Sequence, residues 1–205
     1  MEVPKTGSSS IRNIIGYSKK PHLNICQIRY EMQRHYAPSS SGAMNWLLSK
    51  AHFLLPSAKR FAIGEGQFNS YFKFGFVRNP WDRVASLYQR KEGLQMRKKM
   101  TFEEFVSWIK YSSSTCIHSV PHVNQLDWLV DPHGNVLLDF IGRFETLNSD
   151  WDSISKVIGV SPELPHVNQN PDKKHYSEYY TQKTKRIVAD KFRTDIEYFN
   201  YTFEE

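Results

Sequence analysis

Two stretches of the chain place residues of suitable type and spacing for phosphate chemistry. In Pro4-Lys5-Thr6-Gly7-Ser8-Ser9-Ser10 an ammonium, a glycine and four hydroxyls run together just ahead of Ile11, Ile14 and Ile15. The isoleucines repeat at helical spacing, which predicts a helix opening near Ser9 or Ser10, either of which can cap it. The orphan N–H groups of the first helical turn then point into the loop. Lys5, the backbone of Thr6 to Ser9 and the serine hydroxyls would wrap an anion there. A polar N-terminal tail is the plain alternative. The stretch is a poor nucleotide loop of the G-x-x-x-x-G-K-[ST] kind, because no glycine precedes Lys5 at that distance and Gly7 follows it instead.

The second stretch is Tyr-Phe-Lys-Phe-Gly-Phe-Val-Arg-Asn-Pro-Trp-Asp-Arg-Val-Ala-Ser-Leu-Tyr, residues 71–88. Residues 71–77 are aromatic and apolar apart from Lys73, as a buried parallel strand requires. Asn79 then supplies an N-cap and Pro80 a first helical residue, so a helix is expected to run toward Lys91. Arg78 stands at the strand end and Ser86 two turns into that helix, where a guanidinium and a hydroxyl can converge on one dianionic phosphate. Trp81, Val84 and Leu87 are expected to face the core, with Asp82 and Arg83 pairing locally. The alternative is a surface arginine beside a purely structural helix start.

Together the two stretches, PKTGSSS and FVRNPWDRVASLY, resemble the paired signature of sulfotransferases that use 3′-phosphoadenylyl sulfate (PAPS). Later segments, IGRFETL and LPHVNQNPDKKHYSEYY, resemble the carbohydrate sulfotransferases that include chondroitin, dermatan and heparan 2-O enzymes and their small bacterial relatives. The resemblance spans nearly the whole chain. It implies a P-loop-kinase-like three-layer domain over residues 1–205. It also implies that Lys5, Thr6, Gly7, Ser8, Ser9 and Ser10 hold the 5′-phosphosulfate, and that Arg78 and Ser86 hold the 3′-phosphate. The family loop follows a strand of several residues, whereas only Met1-Glu2-Val3 precedes it here, so the first strand is expected to be truncated.

The chemistry so implied is in-line transfer of a sulfuryl group from PAPS to a hydroxyl of a carbohydrate. Negative charge grows on the bridging oxygen as its bond to sulfur breaks, and Lys5 is the group expected to neutralise it. The acceptor hydroxyl needs a base. Related sequences carry a basic residue followed by His between the two phosphate motifs, and Arg34-His35 occupies that place, making His35 the expected base. His52 is second and Glu65, in an expected GEGQ loop, third. His118, His122 and His166 fall in expected loops and are read as solvent-facing or substrate-touching. Arg143 and Glu145 are expected to form a structural ion pair. Arg97, Lys98 and Lys99, like Lys173 and Lys174, read either as solvated faces or as contacts to an anionic glycan. The chemistry requires no metal, and the eight histidines offer no convincing ligand pair.

The elements that must position these residues follow from the pattern. Residues 19–40 are open between strand and helix; residues 43–53 read as a helix. Thr101 and Glu104 form a capping box for a helix to about Tyr111. Residues 125–145 read as strand, Asp-Pro-His-Gly-Asn turn, strand. Asn148 or Ser149 is expected to cap a helix to about Ile158. Residues 181–199 read as one helix with Ile187, Val188, Phe192, Ile196 and Phe199 on one face. Strands alternating with helices predict an α/β domain with a mainly parallel central sheet.

Composition agrees with a globular chain of one domain. It has 205 residues, 40% hydrophobic and 23% charged, with 13 Phe, 11 Tyr and 5 Trp. A net charge of +6 favours anionic partners: nucleotides, acidic glycans, nucleic acid or acidic lipid. Of these the resemblance selects a nucleotide donor and a glycan acceptor, with no nucleic-acid partner. Cys26 and Cys116 make neither a disulfide framework nor a metal cluster. No apolar run approaches a membrane span, so the chain is expected in the cytoplasm, or in the Golgi lumen as part of a longer anchored enzyme. Two rival readings stay open. An ATP-dependent kinase should carry the nucleotide loop that is absent here. A non-catalytic nucleotide- or glycan-binding relative would tolerate loss of Lys5, which is present.

Overall fold

Phe74–Val77 and Phe140–Arg143 lie side by side as two parallel strands, β1 and β2, with Phe74 opposite Phe140 and Val77 opposite Arg143. The computed structural model describes residue 3 and residues 6–16, 23–34, 57–89, 99–111, 124–165 and 174–204. Helices make up most of the rest. In chain order they are α1 (Ser8–Ile15), α2 (Ile25–Arg34), α3 (Ser57–Ser70), α4 (Pro80–Gln89), α5 (Phe102–Tyr111), α6 (Leu147–Ile158), α7 (Gln182–Lys191) and α8 (Arg193–Phe199). Short 3₁₀ turns occupy Leu126–Trp128, Phe144–Thr146 and Tyr176–Tyr179. The protein is thus α/β, with a small parallel sheet and mostly helices.

Register is pinned at the entry to the strands. Lys73 donates its backbone N–H to the Asp139 carboxylate (2.7 Å), while the Lys73 carbonyl accepts from the N–H groups of Asp139 (2.7 Å) and Phe140 (3.1 Å). Opposite Phe76 stands Gly142, and a Cβ on Gly142 would collide with the Phe76 ring. Only glycine lets the ring lie flat across its neighbour strand.

Alternation along β1 divides the core in two, because successive side chains leave a strand on opposite faces. Phe76, with Phe74 beside it, packs into a cluster containing Ile11 of α1 and Trp151 and Ile154 of α6. Val77 joins the larger cluster built by Trp81, Val84 and Leu87 of α4, Phe105, Val106 and Ile109 of α5, Val188 of α7, Phe199 of α8 and Phe192 between those two helices. Val3 is buried in this second cluster. Trp151 is wholly buried and its indole N–H donates to the Ser161 carbonyl at 3.0 Å, so a large apolar surface is removed from water without stranding a donor.

Several expected elements appear as read. Asn79 caps α4 through its side-chain oxygen (3.1 Å from the Trp81 N–H), and Pro80 is the first helical residue. The Thr101–Glu104 capping box is formed, with the Thr101 N–H on Glu104 at 2.6 Å and the Glu104 N–H on Thr101 Oγ1 at 3.3 Å. Other elements differ. Residues 125–130 make a 3₁₀ turn and a single antiparallel bridge, Val130 to Val136, rather than a strand. The Asp131 carboxylate gathers the N–H groups of His133 and Asn135 and folds the chain back locally. The last helix is two helices, α7 and α8, meeting at Phe192. α6 begins at Leu147, earlier than the expected Asn148 or Ser149 cap, and no side chain caps it. The expected helix at 43–53 lies outside the described residues. Among the described residues no helix is long and apolar enough to cross a membrane.

Candidate functional site

The first loop reaches α1 through Gly7, whose φ of 88° and ψ of 5° lie in the left-handed region. That conformation turns the chain into the helix one to two residues earlier than Ser9 or Ser10 would, so α1 starts at Ser8. No side chain caps α1, and at its start the Ser10 N–H donates to the Gly7 carbonyl (3.1 Å). Ser8 and Ser10 are half-buried and Ser9 is exposed. Thr6 is buried, and its hydroxyl donates to the Val3 carbonyl at 2.8 Å. The Thr6 side chain therefore ties the loop back on itself. Gly7 also sits close to the chain that follows β2: a Cβ there would lie 2.9 Å from Leu147 Cδ2 and 3.4 Å from Phe144 Cδ2.

At the end of β1, Arg78 and Asn79 are both buried. The Arg78 Nε donates to Asp82 at 2.8 Å and an Nη reaches the same oxygen at 2.6 Å, one helical turn into α4. The guanidinium carbon stands 3.9 Å from the Phe144 ring centroid, within cation–π range. Asp82 is thus bonded to Arg78 across one turn of α4. Arg83 is buried and its charge bears on Asp195. Ser86 is half-buried, a further turn along α4.

Phe144, immediately after β2, joins the two motifs. A Cβ at Gly7 would stand 3.4 Å from one edge of its ring, and the Arg78 guanidinium lies over its face. The next residue, Glu145, accepts the Asn79 N–H at 2.6 Å and the Tyr201 hydroxyl at 3.2 Å. Arg143 donates to the Phe199 carbonyl at 2.5 Å and lies 4.7 Å over the Tyr201 ring. The expected Arg143–Glu145 pair is replaced by separate bonds that meet on Tyr201. Burial, with the Glu145 charge adding to it, pushes the Tyr201 phenol well above its usual range, so it remains a donor.

Two residues that support Arg78 carry no signal of that role in the sequence. Gln125 accepts the Arg78 N–H (2.9 Å) and donates to the Arg78 carbonyl (2.7 Å). Asp195 accepts the N–H groups of Gln125 (2.8 Å) and Leu126 (3.0 Å). Burial raises the Asp195 carboxyl, opposed by the Arg83 charge and these bonds. A polar residue before Leu-Asp-Trp-Leu and an acid on an amphipathic helix look ordinary in sequence; only the fold brings them together.

Of the expected base candidates, Glu65 is corrected. It lies in α3, not in a loop, and its carboxylate is paired with Arg29 of α2, which donates through Nε at 2.8 Å, and with Gln33 at 2.7 Å. Arg29 above all holds the Glu65 carboxyl below its ordinary range. A carboxylate so engaged is a weak proton acceptor and serves to join α2 to α3. Lys5, His35, His52, His118, His122 and His166 lie outside the described residues, as do Arg97, Lys98 and Lys173.

The fold and site define an α/β protein in which two chain turns, each opening a helix, meet on one aromatic ring. The chain matches the Sulfotransferase family over residues 1–202 and belongs to that family. This membership places its chemistry among sulfuryl transfers. It is also similar to an uncharacterized protein of Archaeoglobus fulgidus, 34% identical over 104 residues, which cover 50% of this chain and 79% of the relative. No solved structure matches it significantly.

Proposed function

We propose that the protein transfers the sulfuryl group of PAPS to a hydroxyl of a carbohydrate acceptor, acting as a single P-loop-kinase-like three-layer domain. The observation that carries this reading is the meeting of the Gly7 loop and the Arg78 guanidinium on Phe144. The residues fit a nucleotide carrying two anionic ends. Gly7 keeps the mouth of α1 clear of a side chain, and no side chain occupies the position of a cap. A buried guanidinium stands at the second turn. In this reading Lys5 and Thr6 to Ser10 receive the 5′-phosphosulfate, while Arg78 and Ser86 receive the 3′-phosphate.

The transfer breaks the bond from sulfur to the bridging phosphate oxygen and forms one from sulfur to the acceptor oxygen. The acceptor proton passes to His35, and the charge left on the bridging oxygen is met by Lys5. The chain's net charge of +6 suits an anionic glycan. Calorimetry tests the donor assignment. Adenosine 3′,5′-bisphosphate, the desulfo product, should bind without metal and far more tightly than ATP with Mg²⁺; the reverse order would transfer the assignment to a kinase.

A further inference from the structure

We propose that Gln125 is a positioning residue for Arg78, with Asp195 setting the direction of its carboxamide. This role rests on Arg78 being a ligand of the 3′-phosphate.

The β1–β2 register ends at Val77 opposite Arg143. One residue later the Gln125 carboxamide takes over the work of a neighbouring strand, accepting the Arg78 N–H and donating to the Arg78 carbonyl. A carboxamide can do this in one orientation only; turned over, it sets donor against donor and acceptor against acceptor. Asp195 decides the orientation. Its Oδ2 accepts the Gln125 backbone N–H and also lies 3.3 Å from Nε2, so the amide nitrogen must stand on the carboxylate side. Gln125 and Asp195 are both wholly buried, and water cannot substitute for either bond. From the other side, Glu145 takes the Asn79 N–H. Three consecutive backbone groups of the turn are therefore fixed by side chains from distant parts of the chain. A residue that merely filled space here would need no polar ends. This one fixes the backbone from which the guanidinium projects over Phe144 at 3.9 Å, and a bidentate phosphate contact depends on such placement.

The test compares the affinities of adenosine 3′,5′-bisphosphate and AMP, which differ by the 3′-phosphate, alongside thermal unfolding. Gln125→Met should reduce the preference for the bisphosphate by about tenfold or more while leaving AMP affinity within about twofold. In an Arg78→Ala background the same substitution should change neither affinity further, since its effect passes through Arg78. Gln125→Leu, which removes both bonds to the Arg78 backbone, is read the same way where Gln125→Met does not fold. A folded Gln125 variant with the full preference overturns the positioning role alone. Equal loss in the Arg78→Ala background does so too. Absence of any preference in the unsubstituted protein overturns the phosphate reading, and the positioning role falls with it.

Discussion

Alanine at Gly7 would strain the first loop in two separable ways. The backbone sits at φ 88°, where an L residue with a Cβ loses ~1–2 kcal/mol. The new Cβ would also lie 2.9 Å and 3.3 Å from the two methyls of Leu147. Overpacking costs ~1–3 kcal/mol, and the low end applies because Leu147 is only half-buried and can give way. The sum is ~2–3 kcal/mol, or a melting temperature lower by ~4–12 °C at ~2–4 °C per kcal/mol. Thermal unfolding followed by circular dichroism measures it. Repeating the substitution in a Leu147→Ala background separates the parts: the methyl clash is gone, and only the backbone cost of ~1–2 kcal/mol should remain. An unchanged melting temperature for Gly7→Ala, or an equal cost in both backgrounds, would refute the account of how the loop is seated.

Two further outcomes follow from the site and its supports. Arg29 holds the Glu65 carboxyl below its ordinary value of 4.5, so this pair's contribution is present above that value and lost as pH falls through the depressed one. Melting curves of the protein and of Glu65→Gln should therefore differ at pH 7 and converge in acid; a difference that persists in acid would contradict the pairing. His35→Ala should leave bisphosphate binding unchanged while removing the dependence of turnover on a group titrating near ~6.5, read from pH–rate profiles. Retention of that dependence would move the base role to another residue.

The legible parts of the chain were those whose signal is local. Asn79-Pro80 announced α4, and Thr101 with Glu104 announced α5, because a cap and its partner lie within four residues. Trp81, Val84 and Leu87 fell into the core as their spacing required. The loop at Gly7 was legible as a loop, but its exact turn into α1 depends on a left-handed residue packed against Leu147, which is distant in sequence. Glu65 misled for a similar reason. Glycines on either side of it suggest a loop, yet pairing with Arg29 and Gln33 accompanies an unbroken α3. Residues 125–130 carry the apolar composition of a strand, while Asp195 draws the Gln125 and Leu126 N–H groups into a 3₁₀ turn. The support that Gln125 and Asp195 give to the Arg78 backbone was not legible because the two residues come from separated segments and belong to no motif.

The measurement closest to the central claim is transfer of radiolabelled sulfate from PAPS to a panel of glycans and simple alcohols, run with the protein and with Lys5→Ala. Label should appear on a carbohydrate hydroxyl, and Lys5→Ala should lower its rate by ~10²–10³-fold while bisphosphate binding falls much less. Label that stays on the nucleotide with every acceptor, or transfer that proceeds equally well without the Lys5 ammonium, would contradict the account.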